Sequence, residues 1–176
     1  MRRVAAADRT AMHTLFSRHN VAVYRFVLQR LRDKALAEDV TGEVFLEVWR
    51  DAGQFAHRST VLTWILAIAR RKILAARINP RGGPPDGNVA DDQDRADDPD
   101  APLQARDRGT VLRRCITRLA AEHRELIDLV YYHEQSLESV ATILGIPRNT
   151  AKTRMFSARQ LLADELKKSG VEWVAI

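Results

Sequence analysis

Three clusters of charged side chains, rather than any catalytic constellation, carry the chemistry legible in this sequence. The first is cationic: Arg70, Arg71, Lys72 and Arg77 follow a short stretch that contains Phe55, His57 and Arg58. Guanidinium and ammonium groups hold phosphates and an aromatic ring supports an unstacked base, so this pattern points to nucleic acid. The same cations at the end of a helix would also complement its dipole. The second cluster, Arg148, Asn149, Thr150, Lys152, Thr153 and Arg154, follows directly on Gly145-Ile146-Pro147. Arg and Lys suit phosphates or guanine edges, and Asn suits adenine. The third is acidic: Asp39, Glu43 and Glu47 recur every four residues and share one helix face, which is either solvated or docks on a basic protein surface.

Covalent chemistry finds no comparable support. The histidines at 13, 19, 57, 123 and 133 are scattered, with no carboxylate or thiol at ligand or triad spacing. Cys115 is the single cysteine and reads as a packed helix residue, which excludes an intramolecular disulfide framework. Gly82-Gly83 sits between prolines rather than between a strand and a helix, so it is no phosphate loop. No metal, cofactor or enzymatic activity is expected.

The elements that must position these clusters are helical, because Ala, Leu and Arg dominate and β-branched runs are absent. Residues 8–31 have apolar positions at Met12, Leu15, Phe16, Val23, Phe26, Val27 and Leu31, which suits two helices broken near Asn20. A third helix over Lys34 to Asp51 buries Ala37, Val40, Val44 and Val48. Gly53 ends it, and Ser59 or Thr60 caps a fourth helix that runs to Ile78 with Val61, Trp64, Ile65, Ile68 and Ala69 inward. Further on, helices are expected over Leu103 to Leu119 and Glu122 to His133. Ser136 then caps a short helix that stops at Gly145. Pro147 suits the first position of the next helix, which buries Ala151, Met155, Ala158 and Leu162. Two helices joined at Gly145-Ile146 make a helix-turn-helix whose second member presents its N-terminal side chains to a major groove.

Charge divides the chain. Residues 1–78 carry net +7, residues 79–102 net −5 and residues 103–176 net +3. The middle stretch combines Pro80, Gly82, Gly83, Pro84 and Pro85 with Asp91, Asp92, Asp94, Asp97, Asp98 and Asp100, and has almost nothing to bury. It reads as a flexible acidic linker, either a solvated tether or a polyanion lying in a partner's basic channel. The expected fold is therefore all-α, two small helical domains at 1–78 and 103–176 joined by that linker. The longest apolar run, Val61 to Ala69, is far short of the roughly 20 residues that span a bilayer, and Asp8 and Arg9 interrupt any signal-peptide core. A cytoplasmic protein without membrane insertion is expected.

Taken together, the two blocks resemble the σ70 superfamily of bacterial transcription initiation factors in its smallest, extracytoplasmic-function (ECF) form. Ala37-Glu38-Asp39-Val40 through Glu43-Val44-Phe45-Leu46-Glu47-Val48-Trp49-Arg50 is similar to the family's core-binding helix. Thr63-Trp64-Ile65-Leu66-Ala67-Ile68-Ala69-Arg70 is similar to its −10-recognition helix. Arg124 to Tyr132, with Thr150-Ala151-Lys152-Thr153-Arg154, is similar to its −35-binding domain. The chain departs from the family at Gly42, Arg71, Ala120 and Ala151, where Gln, Asn, Pro and Val are frequent.

The resemblance implies partners and roles. Asp39, Glu43, Glu47 and Trp49 would bind core RNA polymerase at the β′ coiled coil, while the β flap would hold the C-terminal domain. The linker would thread the RNA-exit path. Phe55, His57, Arg58, Arg70, Arg71, Lys72 and Arg77 would capture a melted −10 element, and Arg148, Asn149, Thr150, Lys152, Thr153 and Arg154 would read the −35 duplex. The resemblance further implies an anti-σ protein that holds the chain inactive, a monomer when free of partners, and no bond chemistry. The competing reading is a free-standing helix-turn-helix regulator, which would dimerise on a palindrome and has no use for the acidic ridge or linker.

Overall fold

The computed structural model describes residues 1–78 and 103–169, and the acidic stretch 79–102 lies outside them. Every element among the described residues is helical. In chain order they are α1 (Arg2–Ala5), α2 (Arg9–Leu31), α3 (Lys34–Arg50), a 3-10 turn (Ala52–Gln54), α4 (Val61–Ile78), α5 (Leu103–Arg118), α6 (Ala121–Tyr131), α7 (Leu137–Leu144) and α8 (Arg148–Lys168). They fall into two compact units.

In the first unit α2, α3 and α4 pack mutually, and α1 lies against α2, α3 and the 3-10 turn. The packing follows from apolar side chains at helical spacing: Val23, Phe26 and Val27 on α2, Val40, Val44 and Val48 on α3, and Ile65, Leu66, Ile68 and Ile73 on α4 are all buried. Each such side chain contributes about 1.5–3 kcal/mol of transfer free energy. Phe16 and Phe45 add an edge-to-face contact between α2 and α3 at 4.8 Å. Helix starts are fixed by side-chain acceptors. Asp8 accepts from the Ala11 N–H at 3.0 Å, Asp33 from the Leu36 N–H at 3.0 Å, and Thr60 from the Thr63 N–H at 3.1 Å.

One expectation is corrected here: α2 runs unbroken from Arg9 to Leu31, through Asn20. An asparagine in a helix interior costs only a fraction of a kcal/mol, and neither glycine nor proline is present to make the break. The chain turns instead at Arg32, whose φ of 56° is left-handed and whose N–H returns to the Leu28 carbonyl at 2.8 Å. The inward face of α4 is also shifted: Thr63 and Leu66 are buried, whereas Val61 and Trp64 are half-buried.

In the second unit α8 packs on both α5 and α6. Its core gathers Cys115 and Leu119 from α5 and its end, Ile127 from α6, and Ala158, Leu162 and Leu166 from α8. Cys115 is fully buried, its Sγ 3.5 Å from the Ser169 hydroxyl. Ser136 accepts from the Ser139 N–H at 3.1 Å at the start of α7. That helix ends at Gly145, whose φ of +65° disfavours any side chain. Pro147 stands one place earlier than expected, as the N-cap of α8 rather than its first residue. Its ψ of 144° is extended, and its carbonyl accepts the first helical bond, from Ala151 at 3.1 Å. Proline's fixed φ and missing N–H fit that position equally well.

Candidate nucleic-acid interfaces

The exposed face of α8 is assembled by elimination. Ala151, Met155, Ala158 and Leu162 are buried, which leaves Arg148, Asn149, Lys152 and Thr153 exposed. Within the sequence-predicted set, Thr150 is half-buried, and Arg154 turns toward Glu122 with Nη1 3.2 Å from the carboxylate. Arg154 is thereby drawn off the line of Asn149 and Thr153. One residue that sequence reading missed is Phe156, 63% exposed and one helical turn after Thr153 and Lys152. An exposed ring there can meet thymine methyl groups or sugar carbons. The signal was available, because a large apolar residue out of phase with the Met155-Ala158-Leu162 stripe belongs to the opposite face.

In the first unit the loop after the 3-10 turn and the second half of α4 hold the other predicted cations. Phe55 does not present a free ring: it is 8% exposed and packs against Trp64 at 5.4 Å and His57 at 4.7 Å. Burial of Phe55 is what holds the loop down, and His57 and Arg58 are the exposed side chains it presents. His57 adopts a left-handed φ of 56°, an uncommon conformation for a residue with a side chain and one that concentrates at functional loops.

The α4 cations divide. Arg77 donates to the Arg30 carbonyl at 2.6 Å, satisfying one of the unpaired carbonyls at the end of α2. Arg71 reaches Glu47 at 2.7 Å, and Lys72 lies 3.2 Å from Glu47 and 3.4 Å from Glu43. Arg70 is half-buried.

These contacts join two sets that the sequence kept apart. Asp39 is exposed and Glu43 partly so, but Glu47 is only 14% exposed, enclosed by its two cations. The acidic ridge and the basic helix are thus neighbours that partly neutralise one another. Trp49 is half-buried, whereas Leu46, 71% exposed, is the open apolar side chain beside the ridge. Among the described residues no group of His, Cys, Asp or Glu is placed to hold a metal ion, and no helix is long and apolar enough to cross a membrane.

Comparison with known proteins gives the family and fold relatives of this chain. The family Sigma-70 region 2 matches residues 15–77, and Sigma-70, region 4 matches residues 110–162. The ECF RNA polymerase sigma factor SigL of Mycobacterium tuberculosis (strain H37Rv) is 31% identical over 172 residues, covering 95% of each chain. The ECF RNA polymerase sigma factor SigK of Mycobacterium bovis (strain BCG) is 32% identical over 173 residues, covering 96% of this chain and 92% of that one. Among solved structures, CnrH in complex with the cytosolic domain of CnrY aligns with a TM-score of 0.66 at 19% identity over 94% of each chain. The sigma factor RpoE in complex with the anti-sigma factor NepR from Bartonella quintana aligns at 0.63 and 20% identity, over 88% of this chain and 96% of that one.

Proposed function

The chain belongs to the ECF σ factors of the σ70 family, specificity subunits that bring bacterial RNA polymerase to promoters, and we propose that its two units divide the reading of that promoter. Residues 1–78 bind core polymerase and the melted −10 element, and residues 103–176 bind the −35 duplex. The exposed start of α8 carries this reading: Arg148, Asn149, Lys152 and Thr153 all face outward immediately after the Gly145 turn. Such a helix end can enter a major groove, its cations on phosphates or guanine edges. At the other end His57, Arg58, Arg70, Arg71 and Lys72 form the single-strand surface. Phe55 acts there as the packed support of the loop, and Arg77 as the tie between α4 and α2.

Asp39, Glu43 and exposed Leu46 make the polymerase-facing ridge, an acidic strip with an apolar centre that fits a basic helical partner. Glu47 and Trp49 belong to the same helix and act from behind it. The β′ coiled coil would take this ridge and the β flap the second unit. The acidic stretch 79–102 is the tether between the units. Since a fold relative was solved with an anti-sigma factor, a protein of that kind is the proposed inhibitor. The chain acts in the cytoplasm, where polymerase and chromosome are, is monomeric when free, and performs no bond chemistry.

Purified chain added to core polymerase on fragmented genomic DNA tests the reading. Transcripts with discrete start sites, absent with core alone, are expected. Failure to initiate on any fragment, while the chain alone footprints duplex DNA, would overturn it in favour of a free-standing regulator.

A further inference from the structure

Beside the −10 loop, on the face formed by α1 and α2, lies an open depression of about 560 Å³ that shares only His57 with the promoter-reading surfaces. Its lining includes the apolar side chains of Val4 and Leu15. Its rim carries Arg2, Arg3 and Arg18 together with His57, and no carboxylate lines it. Arg3 is drawn aside by Asp8 at 2.7 Å. Arg2 and Arg18 enter no ion pair or side-chain hydrogen bond among the described residues, and both are exposed. Two guanidiniums lining an open depression with no carboxylate in its lining suit an anion, and their planar donor forks match phosphate oxygens.

His57 identifies the anion's source. It belongs both to this lining and to the loop whose Phe55, His57 and Trp64 rings form one cluster. A single strand that passes over His57 therefore delivers its next phosphate to the depression. An open depression of this volume has room for one nucleotide unit held by its phosphate, whereas a docking protein helix needs an extended groove. We propose that Arg2 and Arg18, with His57 at the edge, hold the phosphodiester backbone of the single strand immediately flanking the segment captured by the −10 loop. This extends the DNA path onto α1 and α2 and rests on the σ reading above.

Binding of fluorescein-labelled oligothymidylate of about 12 nucleotides to the full chain, followed by anisotropy between about 50 and 200 mM KCl, tests it. The R2Q/R18Q double variant is expected to bind about tenfold more weakly at the lowest salt. The slope of log affinity against log salt is expected to shrink by about 1.4, the value for two lost contacts to single-strand phosphates. Arg25→Gln, the same charge change as Arg18→Gln alone but on an exposed position of α2 outside the pocket, is expected to stay within about twofold. Equal weakening by Arg18→Gln and Arg25→Gln, or no effect of the double variant, overturns the proposal. So does loss of binding to a polyglutamate peptide with oligothymidylate binding unchanged, which would assign the pocket to an acidic protein segment. Transcription by wild-type chain with core polymerase reports separately on the σ reading. With transcripts present and the oligonucleotide indifferent to Arg2 and Arg18, only the pocket assignment falls.

Discussion

At the scale of single residues, one set of ion pairs joins groups that the sequence assigns to different partners. Glu47 sits 14% exposed between Arg71 and Lys72, so the proposed polymerase ridge and the proposed DNA-binding helix share one set of charges. Glu47→Gln is expected to cost no more than about 1 kcal/mol in a thermal melt, the range of surface ion pairs, since Arg71 is largely exposed. It should also tighten binding of single-stranded oligonucleotide by several-fold, because Arg71 loses its carboxylate partner and Lys72 one of its two. Unchanged or weaker oligonucleotide binding would show that the cations act elsewhere. His19 supplies a pH signature. Burial, and then the neighbouring Arg18, holds its imidazole below the ordinary value of 6.5. The neutral form is therefore favoured by folding, and its contribution is fully present above about pH 6.5 and lost as pH falls through the lowered folded value. Melting temperature should decline over that range in wild type and decline less in His19→Gln. Identical pH profiles would exclude His19 as the source.

At the scale of elements, two glycines have opposite meanings. Gly42 lies inside α3, exposed, with nothing within 4 Å of where a Cβ would stand. Gly42→Ala is therefore expected to raise stability by about 1 kcal/mol, measured by urea unfolding, because alanine fits the helix with less entropy lost. Gly145 has the same open surroundings but a φ of +65°. There alanine pays the left-handed strain, and a loss of about 1 kcal/mol is expected. If Gly145→Ala were neutral, the turn between α7 and α8 would not be held in that conformation. The unbroken α2 belongs to this scale too. Its apolar positions were legible, and with neither glycine nor proline between Arg9 and Leu31 one long helix carries them through Asn20.

At the scale of the molecule, the division into two units lets the two proposed functions be tested separately. Asp39 is exposed on α3 and remote in sequence from the second unit. Asp39→Arg is expected to weaken capture by immobilised core polymerase about tenfold or more, as truncation or reversal of an interfacial charge does. It should leave a −35 duplex footprint intact. Loss of both together would indicate unfolding rather than a damaged interface, and a far-ultraviolet circular dichroism spectrum distinguishes the two.

The sequence by itself determined the helical class, the helix cap at Ser136 and, as one of two candidates, at Thr60, the Gly145 turn and the buried stripe of α8. It could do so because these follow from backbone hydrogen-bonding geometry and a short repeat, both local. Family membership was legible for a related reason, since the order of the motifs survives where individual residues drift. Tertiary structure alone decided how the charged groups pair and which rings stay open. Arg71 and Lys72 lie against Glu47 only because α3 and α4 pack side by side. Arg154 meets Glu122 only because α6 lies on α8. Phe55 is buried because Trp64 covers it. Such contacts bring together side chains from separate helices, and no period within one helix encodes them. The depression between α1 and α2 is of the same kind: Arg2, Arg18 and His57 come from three segments, and only the fold turns them toward one space.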